Sequence, residues 1–182
     1  MIHNSLLGGL CVALLAACST APLHTSTPPA PAPKTAADAI LQEAWVSEPV
    51  PGDELDSLVA WPTEDGRVWL IATAKATHHL ALYDADTGQR LRTVGGPGTA
   101  VGQFNRPNGI AVFGDLLFVA ERDNHRVQAF RLPEFAPLGA FGADVLRSPY
   151  GLWVHEPAPG VLELFVTDSF MADFRTMTLP PM

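Results

Sequence analysis

Three acidic residues stand beside apolar runs and are the side chains best suited to bind a cation. Asp56 precedes the run that contains Trp61, whereas Glu121 and Asp168 each end a run of β-branched and aromatic residues. Hard cations prefer several oxygen ligands at once, so strand-end acids that face one channel could hold such an ion. The alternative is structural, because a carboxylate there can pair with an arginine such as Arg126 or accept hydrogen bonds from turn amides. This structural interpretation is the favoured one for Glu121 and Asp168.

A second group of residues is suited to forming a ligand-binding face. Asn108, Tyr150 and Trp153 are the candidates, although aromatic residues in such positions more commonly pack between sheets. His78 and His79 are adjacent, so on a strand their side chains point to opposite faces and do not readily share one metal ion. The sequence contains no Gly-x-Ser-x-Gly elbow, Cys–His constellation or Walker loop.

An internal repeat positions these residues. The segment Asn-Arg-Pro-Asn-Gly-Ile-Ala-Val at 105–112 returns as Arg-Ser-Pro-Tyr-Gly-Leu-Trp-Val at 147–154, and Leu-Phe-Val-Ala-Glu at 117–121 returns as Leu-Phe-Val-Thr-Asp at 164–168. The period is about 42 residues and is built from strands, which indicates the blades of a β-propeller. The acids Glu121 and Asp168 therefore occupy the same place in successive repeats.

The predicted strands group into blades of four. Blade 1 covers residues 56–94, blade 2 covers 109–141, and an incomplete third blade covers 151–182, where the Asn-x-Arg-Val strand of the repeat is missing. The predicted fold is therefore all-β, with about two and a half blades of four-stranded antiparallel sheet. Because propellers close with roughly four to eight blades, we expect a truncated reading frame whose missing part completed the ring. Self-association through open blade edges is the alternative, and a stand-alone fold is less favoured because repeat arrays need capping.

The N-terminal residues 1–17 resemble the signal peptide of a bacterial lipoprotein. The apolar run from Leu6 to Ala17 is too short to span a bilayer comfortably, and small residues precede Cys18. The resemblance implies a lipid on Cys18, and Ser19 at the next position implies outer-membrane sorting. We therefore expect a membrane partner through the lipid and a location in the cell envelope that faces the periplasm or the exterior. An ordinary cleaved secretory signal is the alternative.

The rest of the composition limits the possible partners. Residues 18–35 are rich in Pro, Thr and Ala and predict an extended tether, which leaves residues 36–182 for the partial propeller. The net charge of −8 argues against a nucleic-acid partner, which requires clustered Lys and Arg. With Cys11 inside the predicted signal, Cys18 has no partner for a disulfide, so packing alone must stabilise the fold.

The blade residues resemble a known family. Pro-Asn-Gly-Ile-Ala-Val at 107–112, Leu-Phe-Val-Ala-Glu at 117–121 and Asp-Asn-His-Arg-Val-Gln-Ala-Phe at 123–130 resemble the NHL repeat, a blade unit of β-propellers. More widely, the stretch from Asp56 to Ser169 resembles the first half of bacterial secreted propellers classed as phytase-like. That resemblance implies calcium ions, held by carboxylates around a central channel, that bind and polarise phosphate. Asp56, Glu121 and Asp168 are the corresponding candidate ligands.

The resemblance carries two hypotheses for function. The first is a lipid-anchored, calcium-dependent hydrolase of phosphomonoesters such as phytate, as a truncated or degenerate member. One motif, Asp-Asp-Pro-Ala-aliphatic-Trp, keeps Asp56 and Trp61 here, but the motif Asn-Asn-aliphatic-Asp-aliphatic-Arg has Ala111 and Phe113 where the family has the acid and the arginine. Those replacements remove an anionic ligand and a phosphate-pairing guanidinium. The second hypothesis is a non-catalytic NHL-type propeller scaffold that binds a protein, a glycan or a small ligand.

Overall fold

Ten antiparallel strands make up the regular structure of residues 42–170, the part of the chain that this computed structural model describes, and no helix occurs there. The strands are β1 (Leu55–Pro62), β2 (Val68–Ala74), β3 (His79–Asp84), β4 (Arg90–Val94), β5 (Pro107–Phe113), β6 (Leu116–Glu121), β7 (Arg126–Arg131), β8 (Ala136–Phe141), β9 (Pro149–Ala158) and β10 (Val161–Asp168).

These strands form three sheets in chain order. Strands β1–β4 make one four-stranded antiparallel sheet, here called blade 1, and β5–β8 make a second, called blade 2. Strands β9 and β10 form a two-stranded hairpin, with Pro157 and Pro159 near its turn. The predicted all-β class with four-stranded antiparallel blades is confirmed.

Tight turns stabilised by local hydrogen bonds connect the strands of blade 1. Gly66 has a φ of 82°, which favours glycine, and its amide donates to the Thr63 carbonyl at 3.1 Å. In the next turn the Asp84 carboxylate accepts the Thr87 amide at 3.0 Å, and Gly88 has a φ of 72°. Gly66 and Gly88 therefore supply the positive φ angles that these two hairpin turns require.

Blade 1 and blade 2 pack face to face around one apolar core. Strict alternation along β2 and β3 directs every second apolar side chain toward blade 2, where it is buried. Full burial of one such side chain contributes about 1.5–3 kcal/mol. The core residues are Trp61, Ile71, Leu80, Leu82, Phe104, Ile110, Leu117, Val119, Phe130, Leu132 and Phe135.

The opposite face of blade 2 packs against the β9–β10 hairpin. Phe118, Ala120 and Val127 are buried there beneath hairpin residues that include Leu152 and Val166. The approach of β5 to β9 is close, because a Cβ on Gly109 would lie only 2.3 Å from the Tyr150 carbonyl oxygen. The innermost strands β1, β5 and β9 consequently lie side by side, as in consecutive propeller blades.

Several predicted features lie outside the described residues. These are the signal segment, Cys18, the tether over 18–35 and residues 171–182 at the end of the predicted third blade. Their boundaries stay predictions. Within 42–170 no helix is long and apolar enough to cross a membrane.

Candidate functional site

Four of the predicted site residues lie at one end of the blades. The turns β2–β3 and β6–β7 and the connections β4–β5 and β8–β9 all lie at this end, because successive strands alternate in direction. We call it the connector end. Asp56 and Tyr150 lie near the first residues of β1 and β9, whereas Glu121 and Asp168 end β6 and β10.

The structure brings Asp56 and Tyr150 together across the innermost strands. The Tyr150 hydroxyl donates to Asp56 Oδ1 at 3.5 Å, although 94 residues separate the two in sequence. Lys75 Nζ lies 3.7 Å from the same carboxylate oxygen. A cation is therefore already in place beside Asp56, which weakens the attraction of this carboxylate for a metal ion.

Glu121 is the centre of a buried hydrogen-bond network in blade 2. Its side chain is fully buried, and Arg126 Nε donates to Oε2 at 2.6 Å. The Gln128 amide donates to Oε2 at 2.8 Å, and Oε1 accepts the Asn124 amide at 2.7 Å and the Asn105 backbone amide at 3.0 Å. A carboxylate has about four lone-pair positions, and these four donors fill them.

Arg126 extends this network to the connection between the blades. Its guanidinium also donates to the carbonyl oxygens of Thr99, Ala100 and Gln103, at 2.7, 3.1 and 3.2 Å. The ion pair thus ties the β6–β7 turn to the β4–β5 connection. This is the structural arrangement that the sequence favoured for Glu121, with Arg126 as the partner.

Asp168 repeats part of the same arrangement in the hairpin. Its Oδ2 accepts the Arg147 amide at 2.8 Å, and Oδ1 accepts the amides of Ser148 at 2.8 Å and Phe170 at 3.2 Å. The hydrogen bond from the Arg147 amide, followed by those from Ser148 and Phe170, lowers the pKa of Asp168 below its usual value. Arg147 and Ser148 hold the positions in this repeat that Asn105 and Arg106 hold in blade 2.

Asp53 is a further buried acid whose partners the sequence did not identify. It accepts hydrogen bonds from Thr77 Oγ1 and from Arg90 Nη1, both at 2.8 Å. Burial opposes ionisation, but these two hydrogen bonds and the charges of Arg90 and His79 lower the pKa of Asp53 overall. No local sequence pattern predicts the contact of Asp53 with Arg90, because the two residues are 37 positions apart in the chain.

The adjacent histidines contact different groups. His79 Nε2 lies 3.5 Å from Asp53, whereas His78 Nδ1 accepts the Arg106 amide at 2.9 Å. Among residues 42–170, no group of three or more His, Cys, Asp and Glu side chains is arranged to hold a metal ion.

Comparisons with known proteins identify the repeat. A family model for the NHL repeat matches residues 104–130, which run from the β4–β5 connection through β5 and β6 into β7. The matched segment covers most of blade 2 and is called the NHL repeat below. The NHL repeat-containing protein 2 of Gallus gallus is 30% identical to this chain over 69 residues, which are 34% of the chain and 10% of that protein. The chain therefore matches only about a tenth of the length of this relative.

The remaining ligand-face candidates differ in how accessible they are. Asn108 of the NHL repeat is fully buried; its backbone carbonyl oxygen accepts a hydrogen bond from Thr73 Oγ1 at 2.7 Å, whereas its side-chain amide has no hydrogen-bond partner among the described residues. Trp153 is 58% exposed, on the hairpin face that points away from the NHL repeat. Its ring stacks on His155 with centroids 5.5 Å apart and tilts against Phe165 at 5.3 Å. The corresponding residue of blade 2 is the buried Ala111, so the hairpin carries a large aromatic side chain where the NHL repeat has a methyl group.

A shallow cavity of about 280 Å³ lies at the connector end between blade 2 and the hairpin. The Arg147 guanidinium covers the Phe170 ring at one side of it, 4.8 Å from the ring centroid. The cavity is lined by His125, Ala143, Leu146, Arg147 and Phe170.

Proposed function

We propose that this chain works as a non-catalytic binding scaffold of the NHL-propeller type. The observation that carries the proposal is the engagement of its strand-end acids. Four donors surround Glu121, three backbone amides hold Asp168, and Lys75 lies beside Asp56. These carboxylates brace turns and connections of the blades.

A calcium site at the same acids would have to replace these contacts. Hydrogen bonds to charged groups contribute about 1.5–3 kcal/mol each, and the nearly buried Arg126 would be left without its counterion. Ala111 and Phe113 stand where the phytase-like family has an acid and an arginine, which also argues against a calcium-phosphate site. Calcium-dependent hydrolysis of phosphomonoesters is therefore the competing function, and the scaffold is the better supported one.

The exposed aromatic surface supports a binding role. Trp153 and Phe165 are 58% and 52% exposed on the hairpin, and Tyr150 is 41% exposed at the connector end. Aromatic side chains of this kind supply much of the binding energy at protein and ligand interfaces. A scaffold needs such a surface and does not need a cluster of acids.

The test combines calcium calorimetry with phosphate release from phytate on the purified chain. The scaffold predicts no saturable heat with Ca²⁺ up to about 1 mM and no phosphate release. Saturable binding together with turnover, both lost in Asp56→Ala, would overturn the scaffold and establish the hydrolase. Asp115→Ala is the matched control, because it removes an exposed acid at the opposite end of blade 2.

We also propose that Cys18 anchors the scaffold to the cell envelope. The proposal is supported by the small residues before Cys18 and by the Pro-rich segment that follows it. Incorporation of labelled palmitate into the wild-type chain, and its loss in Cys18→Ser, is the expected result. Labelling that persists in Cys18→Ser would contradict the anchor, as would the absence of labelling in the wild type.

A further inference from the structure

We propose that a cavity between blade 1 and blade 2, at the end opposite the connector end, binds a pyranose residue of a neutral glycan. This inference rests on the proposed scaffold function and names the class of ligand. The cavity has a volume of about 240 Å³ and lies between the β1–β2 turn and the β7–β8 turn. Every residue that lines it belongs to the described strands and turns.

Two indole rings and a proline form the apolar wall of the cavity. Trp61 and Trp69 lie directly opposite each other in β1 and β2, with ring centroids 5.5 Å apart and ring planes inclined at 51°. The Trp61 indole donates to the Gly114 carbonyl at 3.0 Å, and Pro133 completes the wall from blade 2. Arg92 lies over the Trp69 ring, 5.6 Å from its centroid, and donates to the Pro133 carbonyl at 2.9 Å. These contacts fix the aromatic wall before a ligand arrives, which reduces the entropy cost of binding.

The β1–β2 turn supplies the polar side of the cavity. Its Asp65 accepts a hydrogen bond from Thr63 Oγ1 and another, at 2.9 Å, from Arg67 Nε. The hydrogen bond from Thr63, followed by that from Arg67, lowers the pKa of Asp65 to about 2. The carboxylate and the guanidinium are therefore both charged at neutral pH, and they present acceptors and donors side by side. Adjacent hydroxyl groups of a sugar ring, each a donor and an acceptor, match this pair.

The charges around the cavity select against an ionic ligand. Glu64 and Asp65 line the cavity and repel an anion. Arg67 in the same lining and Arg92 over the Trp69 ring repel a cation. The surroundings favour a neutral ligand that offers hydroxyl groups to the turn and C–H groups to the indole rings. A pyranose has both, because its hydroxyl groups lie around the ring and leave an apolar face of C–H groups.

The features that form this cavity belong to blade 1 and not to the repeat. The equivalent residue pair in blade 2 is Phe113 and Leu116, joined by the short turn of Gly114 and Asp115. That turn contains no arginine, and the pair contains no indole. The longer turn of blade 1, residues 63–67, therefore gives this blade a combination of groups that the NHL repeat does not have.

The test uses the isotopically labelled full chain and, as probes, the methyl pyranosides of glucose, galactose, mannose and N-acetylglucosamine. Nuclear magnetic resonance follows the indole N–H signals. At least one glycoside is expected to shift the signals of Trp61 and Trp69 saturably, with a dissociation constant of about 1 mM for a ligand of this size. Trp45, which packs against Gly88, and Trp153 on the hairpin lie elsewhere and serve as internal references.

Two substitutions in the exposed turn test the polar side of the cavity. Arg67→Ala and Asp65→Asn each remove a charged partner of the sugar hydroxyl groups, and each is expected to weaken binding by at least about tenfold. Asp115→Asn removes an exposed acid from the equivalent turn of blade 2 and is the matched control, with unchanged affinity expected. Urea unfolding of each variant checks that the fold is retained.

The inference would be overturned if no glycoside shifted the Trp61 and Trp69 signals at concentrations up to about 50 mM. Shifts confined to Trp153, or unchanged affinity in both turn variants, would also overturn it. Phosphate release from phytate is measured on the same samples. Absence of glycoside binding in a protein without turnover removes this inference alone, whereas turnover removes the non-catalytic scaffold and leaves the glycoside result interpretable.

Discussion

Replacement of Glu121 by glutamine tests directly whether this acid is structural. The variant Glu121→Gln keeps the size of the side chain but exchanges one acceptor oxygen for an amide group. In the wild type each carboxylate oxygen accepts at least two hydrogen bonds, so the new amide group must face at least two donors whichever way it points. Arg126, whose side chain is 12% exposed, also loses its counterion.

The expected loss of unfolding free energy is about 3 kcal/mol. Breaking a buried ion pair by removal of one charge typically destabilises a protein by roughly 3–5 kcal/mol. The lower end applies here, because Arg126 keeps its hydrogen bonds to the carbonyl oxygens of Thr99, Ala100 and Gln103. For a domain of this size the loss corresponds to a decrease in melting temperature of roughly 10 °C.

Urea unfolding followed by circular dichroism measures this quantity, with Glu163→Gln as the control for removal of an exposed carboxylate. The wild type and both variants are compared with and without calcium. A loss below about 1 kcal/mol would refute the structural role. Calcium-dependent stabilisation of the wild type that disappears in Glu121→Gln would instead assign Glu121 to a metal site.

Two further predictions concern the pH dependence of stability and the close approach of β5 to β9. The pKa values of Asp53 and Asp168 are lowered in the folded state, so their stabilisation is present above the unfolded value of about 3.9 and is lost as pH falls through the lowered values. The urea concentration at the unfolding midpoint should therefore decrease as the pH falls below about 4, and this decrease should be less steep in Asp53→Asn. The same pH dependence in Asp53→Asn and the wild type would contradict the stabilising role of the Asp53 carboxylate. Gly109→Ala places a methyl group 2.3 Å from the Tyr150 carbonyl oxygen, which forces β5 and β9 apart. The substitution should lower the free energy of unfolding by about 1–3 kcal/mol. Gly96→Ala, which meets no atom within 4 Å, is the control, and equal midpoints for the two variants would refute the close approach.

Local patterns account for the parts of the fold that the sequence predicted. Alternation of apolar residues and the turn at Gly66 depend on a few neighbouring residues, so the strands of blades 1 and 2 could be located from sequence. The pair Glu121 and Arg126 could be anticipated because only five residues separate them across one turn. Strand β5 begins at Pro107, before the predicted start of blade 2 at Gly109, because the ends of strands depend on pairing as well as on composition.

Contacts between distant segments could not be predicted in this way. The Tyr150 hydroxyl meets Asp56 only because β1, β5 and β9 pack side by side. Asn108 was a ligand-face candidate by its position in the repeat, yet the packing of blade 1 against blade 2 buries it completely. Which residues of an innermost strand stay accessible is decided by the spacing of neighbouring blades, and that spacing is not encoded in any one repeat.

The acid at the connector end illustrates why the repeat predicts a position but not a partner. In blade 2 this acid is Glu121, opposite Arg126 at the start of the third strand. In blade 1 the equivalent pair is Ala74 and His79, and the acid comes instead from Asp53, before β1. In both blades a carboxylate beside a basic side chain stabilises the start of the third strand, but the carboxylate comes from a different position in the chain. In the hairpin the corresponding acid is Asp168, whose carboxylate accepts the backbone amides of Arg147 and Ser148 in the β8–β9 connection, so here the acid braces the connection itself.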